Sequence, residues 1–258
     1  AGNTEVTRIT FLGTGTSHGI PVIGCSCPVC KSTDSHDNRY RSSILIERDG
    51  TSVVIDTGYE FRLQCLRANI TKLDGVLYTH SHSDHLMGLD DLRVFTKNRL
   101  FPVYSFGDVI EDIKTKFPYA FKHDVNVGQP QMEARIVYPY KEFQVGSITF
   151  LPIPVYHGSD IIAGYRFGNA AYITDVSNIC LDKNKEWLSA LDVLIIGALR
   201  EEPHIKHYSF KQAAFVSQKL GAKHTYFTHL NHAHTHSYVE STYNGIATPA
   251  YDGLVLEV

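Results

Sequence analysis

No apolar run in this 258-residue chain approaches the about 18 residues that a membrane-crossing helix needs, so none is expected. The opening residues, Ala1-Gly2-Asn3-Thr4-Glu5, lack the charged-then-apolar order of a secretory signal. A surplus of positive charge is also missing: 24 basic residues stand against 27 acidic ones, a formal net charge of −3. General nucleic-acid binders present a basic face, so a nucleic-acid partner is not expected. The cysteines make a poor disulfide framework. They number five, an odd count, with Cys25, Cys27 and Cys30 crowded together and Cys65 and Cys180 alone. That usage fits a reducing cytoplasm and a cluster that binds metal. Low-complexity linkers and obvious internal repeats are absent, and a 43% hydrophobic content suffices for a sizeable core.

Histidine, by contrast, is plentiful, with 14 copies. Four metal-ligand side chains fall close together in His80-Ser81-His82-Ser83-Asp84-His85, an H-x-H-x-D-H pattern. The apolar members of Leu73–Tyr78 before it suit a buried strand, and Leu86–Leu92 after it can open a helix. The segment is therefore read as a strand-to-helix loop. Imidazole nitrogen and carboxylate oxygen suit zinc, manganese or iron. The spacing splits the ligands, with His80 and His82 free to serve one metal while Asp84 and His85 turn toward a second.

Other stretches read as follows. Arg8–Gly13 is a strand running into Gly13-Thr14-Gly15-Thr16-Ser17-His18-Gly19, whose spacing and lack of a clear following helix exclude a dinucleotide-binding turn. His18 there either lines a site or is structural. Cys25, Cys27 and Cys30, flanked by Gly24 and Pro28, can wrap three sides of a tetrahedral zinc and need a fourth ligand. Residues 42–47 and 51–56 form a hairpin through Asp49-Gly50. Asp56, at its end, either supports the metal loop by hydrogen bonding or caps a turn. Residues 61–68 form a helix in which Cys65 is a buried small hydrophobe. Residues 101–106 read as a strand, and 108–117 as a helix capped by Asp108. The stretch 118–130, with Tyr119, Phe121 and His123, reads as a surface connection or a lid over substrate. Strands follow at 146–153 and 154–158, then at 164–167 and 170–173 around a Gly-Asn turn. A helix at 182–190, a buried strand at 191–197, a Ser209-capped helix to Leu220 and a strand at 224–228 complete the reading.

The H-x-H-x-D-H motif resembles the signature of the metallo-β-lactamase superfamily. His157, Asp175 and His229 follow it at strand ends, in the order of that superfamily's remaining ligands. The resemblance implies an α/β, four-layer αβ/βα sandwich, with the whole of 1–258 as one domain and a zinc-knuckle insertion at about 24–31. It implies two divalent catalytic metals, manganese or zinc: one on His80, His82 and His157, the other on Asp84, His85 and His229, with Asp175 bridging. Phe11–Pro21 followed by Gly24–Cys30 is similar to the phosphoribosyl 1,2-cyclic phosphodiesterase group. In that group three such cysteines share a structural zinc with a histidine placed like His232; His234 and His236 compete for the role. His207 matches the group's proton donor to the leaving oxygen, with His204 a nearby competitor.

The expected activity is hydrolysis of a small cyclic or nucleotide-like phosphodiester, with a hydroxide held between two metals as nucleophile, Asp84 orienting it and His207 acting as acid. The expected partners are a small-molecule substrate and a second copy in a homodimer; no membrane is involved. Three alternatives stand: hydrolysis of a thioester or other carbonyl, tRNA 3′-processing, and a non-catalytic branch that shares the knuckle.

Overall fold

The computed structural model describes residues 5–97, 99–122 and 130–258. The strands are β1 (Arg8–Gly13), β2 (Ser43–Arg48), β3 (Thr51–Ile55), β4 (Gly75–Leu77), β5 (Phe101–Ser105), β6 (Met132–Ile136), β7 (Phe143–Val145), β8 (Ile148–His157), β9 (Asp160–Phe167), β10 (Ala170–Ile173), β11 (Val193–Gly197), β12 (His224–Thr228), β13 (Thr248–Pro249) and β14 (Val255–Glu257). The α-helices are α1 (Phe61–Arg67), α2 (Ser83–Leu86), α3 (Gly107–Lys116), α4 (Leu181–Asn184), α5 (Phe210–Leu220) and α6 (His236–Thr242).

Two seven-stranded sheets result, ordered β14-β1-β2-β3-β4-β5-β6 and β13-β12-β11-β10-β9-β8-β7. Helices α1 and α3 cover the first, while α5 and α6 cover the second. This is the expected α/β four-layer sandwich. Strand β11 shows why the layers hold. Val193 and Ile195 join the core cluster that spans both sheets, whereas Leu194 and Ile196 join the cluster beneath α5. With parallel partners on both sides and both faces buried, it needs apolar residues at every position.

Local chemistry accounts for most elements. The β2–β3 turn places Asp49 at φ 45° and Gly50 at φ 74°, the paired positive values of a two-residue hairpin loop. Ser209 caps α5 by accepting from the Gln212 N–H, and Gln212 caps in return. Strand β8 runs unbroken through Pro152 and Pro154, where two strands were expected. Its bond to β7 ends at Phe150, so the missing N–H groups cost no ladder bond on that edge.

Three helix expectations need correction. Helix α2 starts at Ser83, so Asp84 and His85 sit on its first turn, and residues 89–95 form a 3-10 helix instead of continuing it. Gly88 separates the two because its backbone lies against Gly58. Asp108 is not the cap of α3: Phe106 holds that place without a side-chain bond, and Asp108 is in the first turn, where its charge suits the helix dipole. The 182–190 helix closes after one turn, at Asn184. The Asn184 amide donates to the carbonyls of Pro154 and Ile179 at 2.9 and 2.6 Å, which ties that turn to β8. Of the 118–130 segment, Pro118–Ala120 is a 3-10 turn, and the Tyr119 hydroxyl donates to Asp90 at 2.6 Å. Residues 123–129, His123 among them, lie outside the described residues.

The site's elements meet through glycines. A Cβ on Gly88 would stand 2.1 Å from the Gly58 carbonyl oxygen, and one on Gly58 would stand 2.5 Å from that of Asp84. Gly107, by comparison, has side-chain room at ordinary contact distance. Gly88→Ala is therefore expected to lower unfolding free energy by about 1–3 kcal/mol, and Gly107→Ala to change it by under about 0.5 kcal/mol. Equal denaturation midpoints for the two variants would contradict this packing account.

Candidate metal centre

Five strand ends deliver the side chains to one place. Asp56 follows β3, His80 follows β4 by three residues, His157 ends β8, Asp175 follows β10 by two, and His229 follows β12. Asp56, Asp175 and His229 all have left-handed backbones, at φ 66°, 54° and 61°. Such conformations cost about 1–3 kcal/mol each in non-glycine residues and concentrate at functional sites.

The seven expected residues form two adjoining clusters that share Asp175. His80, His82, His157 and Asp175 make one; Asp84, His85, His229 and Asp175 make the other. Within each, the nearest ligand atoms all lie within 4.8 Å of one another. The two Asp175 oxygens divide the work. Oδ1 faces His85 Nε2 at 3.1 Å and His229 Nε2 at 2.9 Å. Oδ2 faces His80 Nε2 at 3.4 Å and His157 Nε2 at 3.9 Å.

The outer nitrogens are anchored. His85 Nδ1 meets Asp56 Oδ2 at 2.7 Å, His80 Nδ1 meets Thr79 Oγ1 at 2.8 Å, and His157 Nδ1 meets the Lys206 carbonyl at 2.8 Å. Thr79 passes the contact on by donating its hydroxyl and its N–H to Asp56 at 2.8 and 2.9 Å. Asp56 thus supports the metal loop and does not merely cap a turn. The inner nitrogens of His80, His85 and His229 are buried yet make no hydrogen bond, despite the nearby carboxylates. Buried polar atoms ordinarily have partners. Several such atoms aimed at common points fit a metal centre, with the opposite nitrogens of His80 and His85 tied back while that of His229 makes no bond.

Charge follows from this crowding. Burial works against the Asp175 and Asp84 carboxylates, but the facing His229 and His85 outweigh it and hold both well below the usual range. Burial likewise opposes a charged His229, yet Asp175 and Asp84 push it up to about 9, and His85 is raised for the same reason. His80, His82 and His157 move the other way, lowered first by burial and then by neighbouring imidazoles.

The second site is smaller. The Sγ atoms of Cys25, Cys27 and Cys30 each lie 3.4 Å from His232 Nδ1. Tetrahedral zinc with ordinary Zn–S and Zn–N lengths gives an S···N edge of about 3.5 Å. The fourth group is thus His232. His234 stacks on Tyr238 instead, and the His236 ring meets the guanidinium of Arg39 at 3.2 Å. Backbone N–H groups of Cys27 and Cys30 point at the sulfurs of Cys25 and Cys27 at 3.4 Å. The first of the causes acting on the Cys27 thiol is the Cys30 N–H, and the net effect lowers it to about 6; burial raises Cys30 to about 11.

His207 stands against the first centre, its ring 4.9 Å from that of His157 and 5.1 Å from that of His229. Burial, then His229, pushes it down to about 3. His204 is one ring further out, 5.1 Å from His207. His18, His204, His207 and His232 line a common cleft of about 340 Å³. Sequence reasoning did not single out Thr79 or the Lys206 carbonyl. Their adjacency to His80 and His207 was the one available signal.

Comparison with known proteins agrees. A family model described as a β-lactamase superfamily domain matches residues 51–230, and the chain belongs to the metallo-β-lactamase superfamily. More narrowly, the crystal structure of a new diphosphatase from the PhnP family superposes with a TM-score of 0.91 at 40% identity, covering 98% of each chain; the chain belongs to that family. Octanoyltransferase of Porphyromonas gingivalis is 37% identical over 253 residues, 96% of this chain. The match takes in 51% of that protein, so the chain spans about half its length. Ribonuclease Z of Treponema denticola is 25% identical over 118 residues, 42% of this chain and 38% of that one. Fold, ligand clusters and the diphosphatase likeness are the observations that bear on its activity.

Two outcomes follow for metal binding. Asp56→Asn removes the charge behind His85 and Thr79 and is expected to weaken affinity at the paired clusters by about 10–100-fold; unchanged affinity by competition titration would refute the anchoring role. Metal needs neutral imidazole, and His85 and His229 hold protons above their ordinary range while His80, His82 and His157 do not. As pH falls from about 9, the Asp84/His85/His229 cluster should therefore lose its ion first. Calorimetry in buffers of different ionisation enthalpy should register proton release on loading at pH 7.

Proposed function

We propose that this protein is a metal-dependent hydrolase and, more narrowly, a phosphodiesterase acting on a small cyclic or nucleotide-like phosphodiester, with phosphoribosyl 1,2-cyclic phosphate as the compound its family resemblance suggests. The observation that carries the reading is His207, an imidazole outside both clusters yet against them, on the wall of the open cleft. The likeness to a diphosphatase and, over less of the chain, to ribonuclease Z supports a phosphorus centre.

In this reading His80, His82 and His157 hold one divalent cation and Asp84, His85 and His229 the other, with one Asp175 oxygen toward each. A divalent cation such as manganese or zinc held there would supply an activated water and offset charge on the phosphoryl oxygens. Asp84, on the first turn of α2, is placed to orient such a water. His207 gives the leaving oxygen its proton. Burial, and then His229, disfavours its charged form, whereas an anionic diester beside it favours the imidazolium that can act as acid. The cysteines and His232 hold a structural zinc. The reading also takes 1–258 as one domain with the knuckle inserted near 24–31, working as a cytoplasmic homodimer; the five free thiols support that compartment. Among the described residues no helix is long and apolar enough to cross a membrane.

A second reading, thioester or other carbonyl hydrolysis, is favoured by the octanoyltransferase likeness. A panel decides: phosphoribosyl 1,2-cyclic phosphate, bis-p-nitrophenyl phosphate, octanoyl thioester and pre-tRNA, each with manganese or zinc. Turnover of the small phosphodiesters is expected; preference for the thioester or for pre-tRNA would replace the reading. His207→Ala is expected to keep its metals by elemental analysis and lose about 10²–10⁴-fold in kcat for alkoxide leaving groups. Near-full turnover would remove His207 from the mechanism.

A further inference from the structure

The zinc knuckle also has the makings of a dithiol pair. Cys27-Pro28-Val29-Cys30 has the C-x-x-C spacing of thiol–disulfide exchange sites. The segment closes one helical turn: the Lys31 N–H donates to the Cys27 carbonyl at 3.0 Å, and the Cys30 N–H to Cys27 Sγ at 3.4 Å. Positions three apart on such a turn share a face, and the four ligand atoms of the knuckle all lie within 4.8 Å of one another. Access is unequal. Cys25 and Cys27 are half-buried, whereas Cys30 is 8% exposed and sits with Ile20 and Val29 in the knuckle's own core. A reagent from solvent therefore meets Cys27 first and finds Cys30 behind it. Cys25 lies outside the turn, with a single residue between it and Cys27, so a bridge there closes a smaller, more strained ring.

Apart from metal, little holds the knuckle's tip. Its core buries Ile20, Val29 and Cys30, while Ile23 is 99% exposed. Small elements of this kind take their order from the bound ion. The base is fixed independently. Ile20 and Arg39 exchange backbone hydrogen bonds at 2.9 Å. Leu230 donates to the Thr14 carbonyl and accepts from the Thr16 N–H, both at 3.0 Å, which keeps His229 with the paired clusters whatever becomes of His232. Between these anchors, Val22 gives its N–H to Cys30 Sγ at 3.3 Å and lines the cleft beside His207, as His232 does. A change of state at the sulfurs thus reaches the cleft wall without reaching the paired clusters.

We propose that Cys27 and Cys30 form a redox site that reacts with hydrogen peroxide: oxidation joins them, frees the zinc and loosens the cleft wall. In the first step Cys27 Sγ attacks one peroxide oxygen; the O–O bond breaks, hydroxide leaves, and the sulfur becomes a sulfenic acid. In the second, Cys30 Sγ displaces hydroxide from that sulfur and the S–S bond forms. The two thiolates give up two electrons, peroxide takes them, and both hydroxides take protons from solvent to end as water. With two of its four ligands spent, zinc leaves, and Cys25 and His232 are released. A dithiol reductant and zinc reverse the change. The response lies in the cleft wall and does not depend on which substrate the cleft takes.

The test treats the zinc-loaded protein with excess hydrogen peroxide. About one equivalent of zinc should be released, with the ions of the paired clusters retained by elemental analysis. Free thiols, counted in denaturant, should fall by two from the five of the reduced chain, and peptide mapping should join Cys27 to Cys30. Dithiothreitol plus zinc should restore both values. Amide hydrogen exchange should quicken at least about tenfold over residues 21–34, while residues 79–85 and 229–230 keep their protection. Cys65→Ser and Cys180→Ser should release zinc as the wild type does. A bridge through Cys25, zinc retained after treatment, or unchanged exchange over residues 21–34 overturns the proposal. None of these readouts requires turnover, so their outcome is separate from that of the substrate panel.

Discussion

Asp175 carries a charge at 2% exposure, with a different set of imidazoles against each of its oxygens. A buried carboxylate is tolerated only where opposite charge and donors surround it. Here the surroundings come from the segment joining β4 to α2 and from the ends of β8 and β12, three places far apart in sequence. Both sheets must therefore close before the charge is compensated. The left-handed backbones of Asp56, Asp175 and His229 have the same origin, since each turns sharply out of a strand to bring its side chain to the common edge.

The supporting contacts tie the two halves of the site to one another. Asp56 reaches His85 directly and His80 through Thr79. The His157 ring is oriented by a carbonyl from the segment that also carries His207 and Arg200. The segment that presents His207 to the cleft thus also sets the angle of a ring in the paired clusters. Glu201 extends the chain of contacts to α6 through the Tyr238 hydroxyl, and α6 begins four residues after His232. The knuckle forms its own small core with Ile20 and Val29 and shares the cleft wall through Val22 and His232.

Much of this was legible along the chain because ligand chemistry is local in part. His80, His82, Asp84 and His85 announce themselves by spacing, as do the three cysteines. Ser209 and Asp49-Gly50 mark a helix start and a hairpin for reasons internal to a few residues. The helix errors came where tertiary contacts outrank propensity: Gly88 pressed on Gly58, and Asn184 bonded across to β8. Strands β6, β7, β13 and β14 and helix α6 were not read at all, being short elements with little periodicity that exist by pairing or packing against others.

Residue types and their spacing determined which side chains offer metal-ligand atoms and that strand ends would carry several of them, because those properties depend on donor atoms and on periodicity within short windows. Only the folded chain decided that Asp175 gives one oxygen to each cluster, that His232 and not His234 or His236 meets the thiols, and that the Lys206 carbonyl orients His157. Each of those outcomes is a distance between residues far apart in sequence, and such distances are set by how the sheets pack, not by any local pattern.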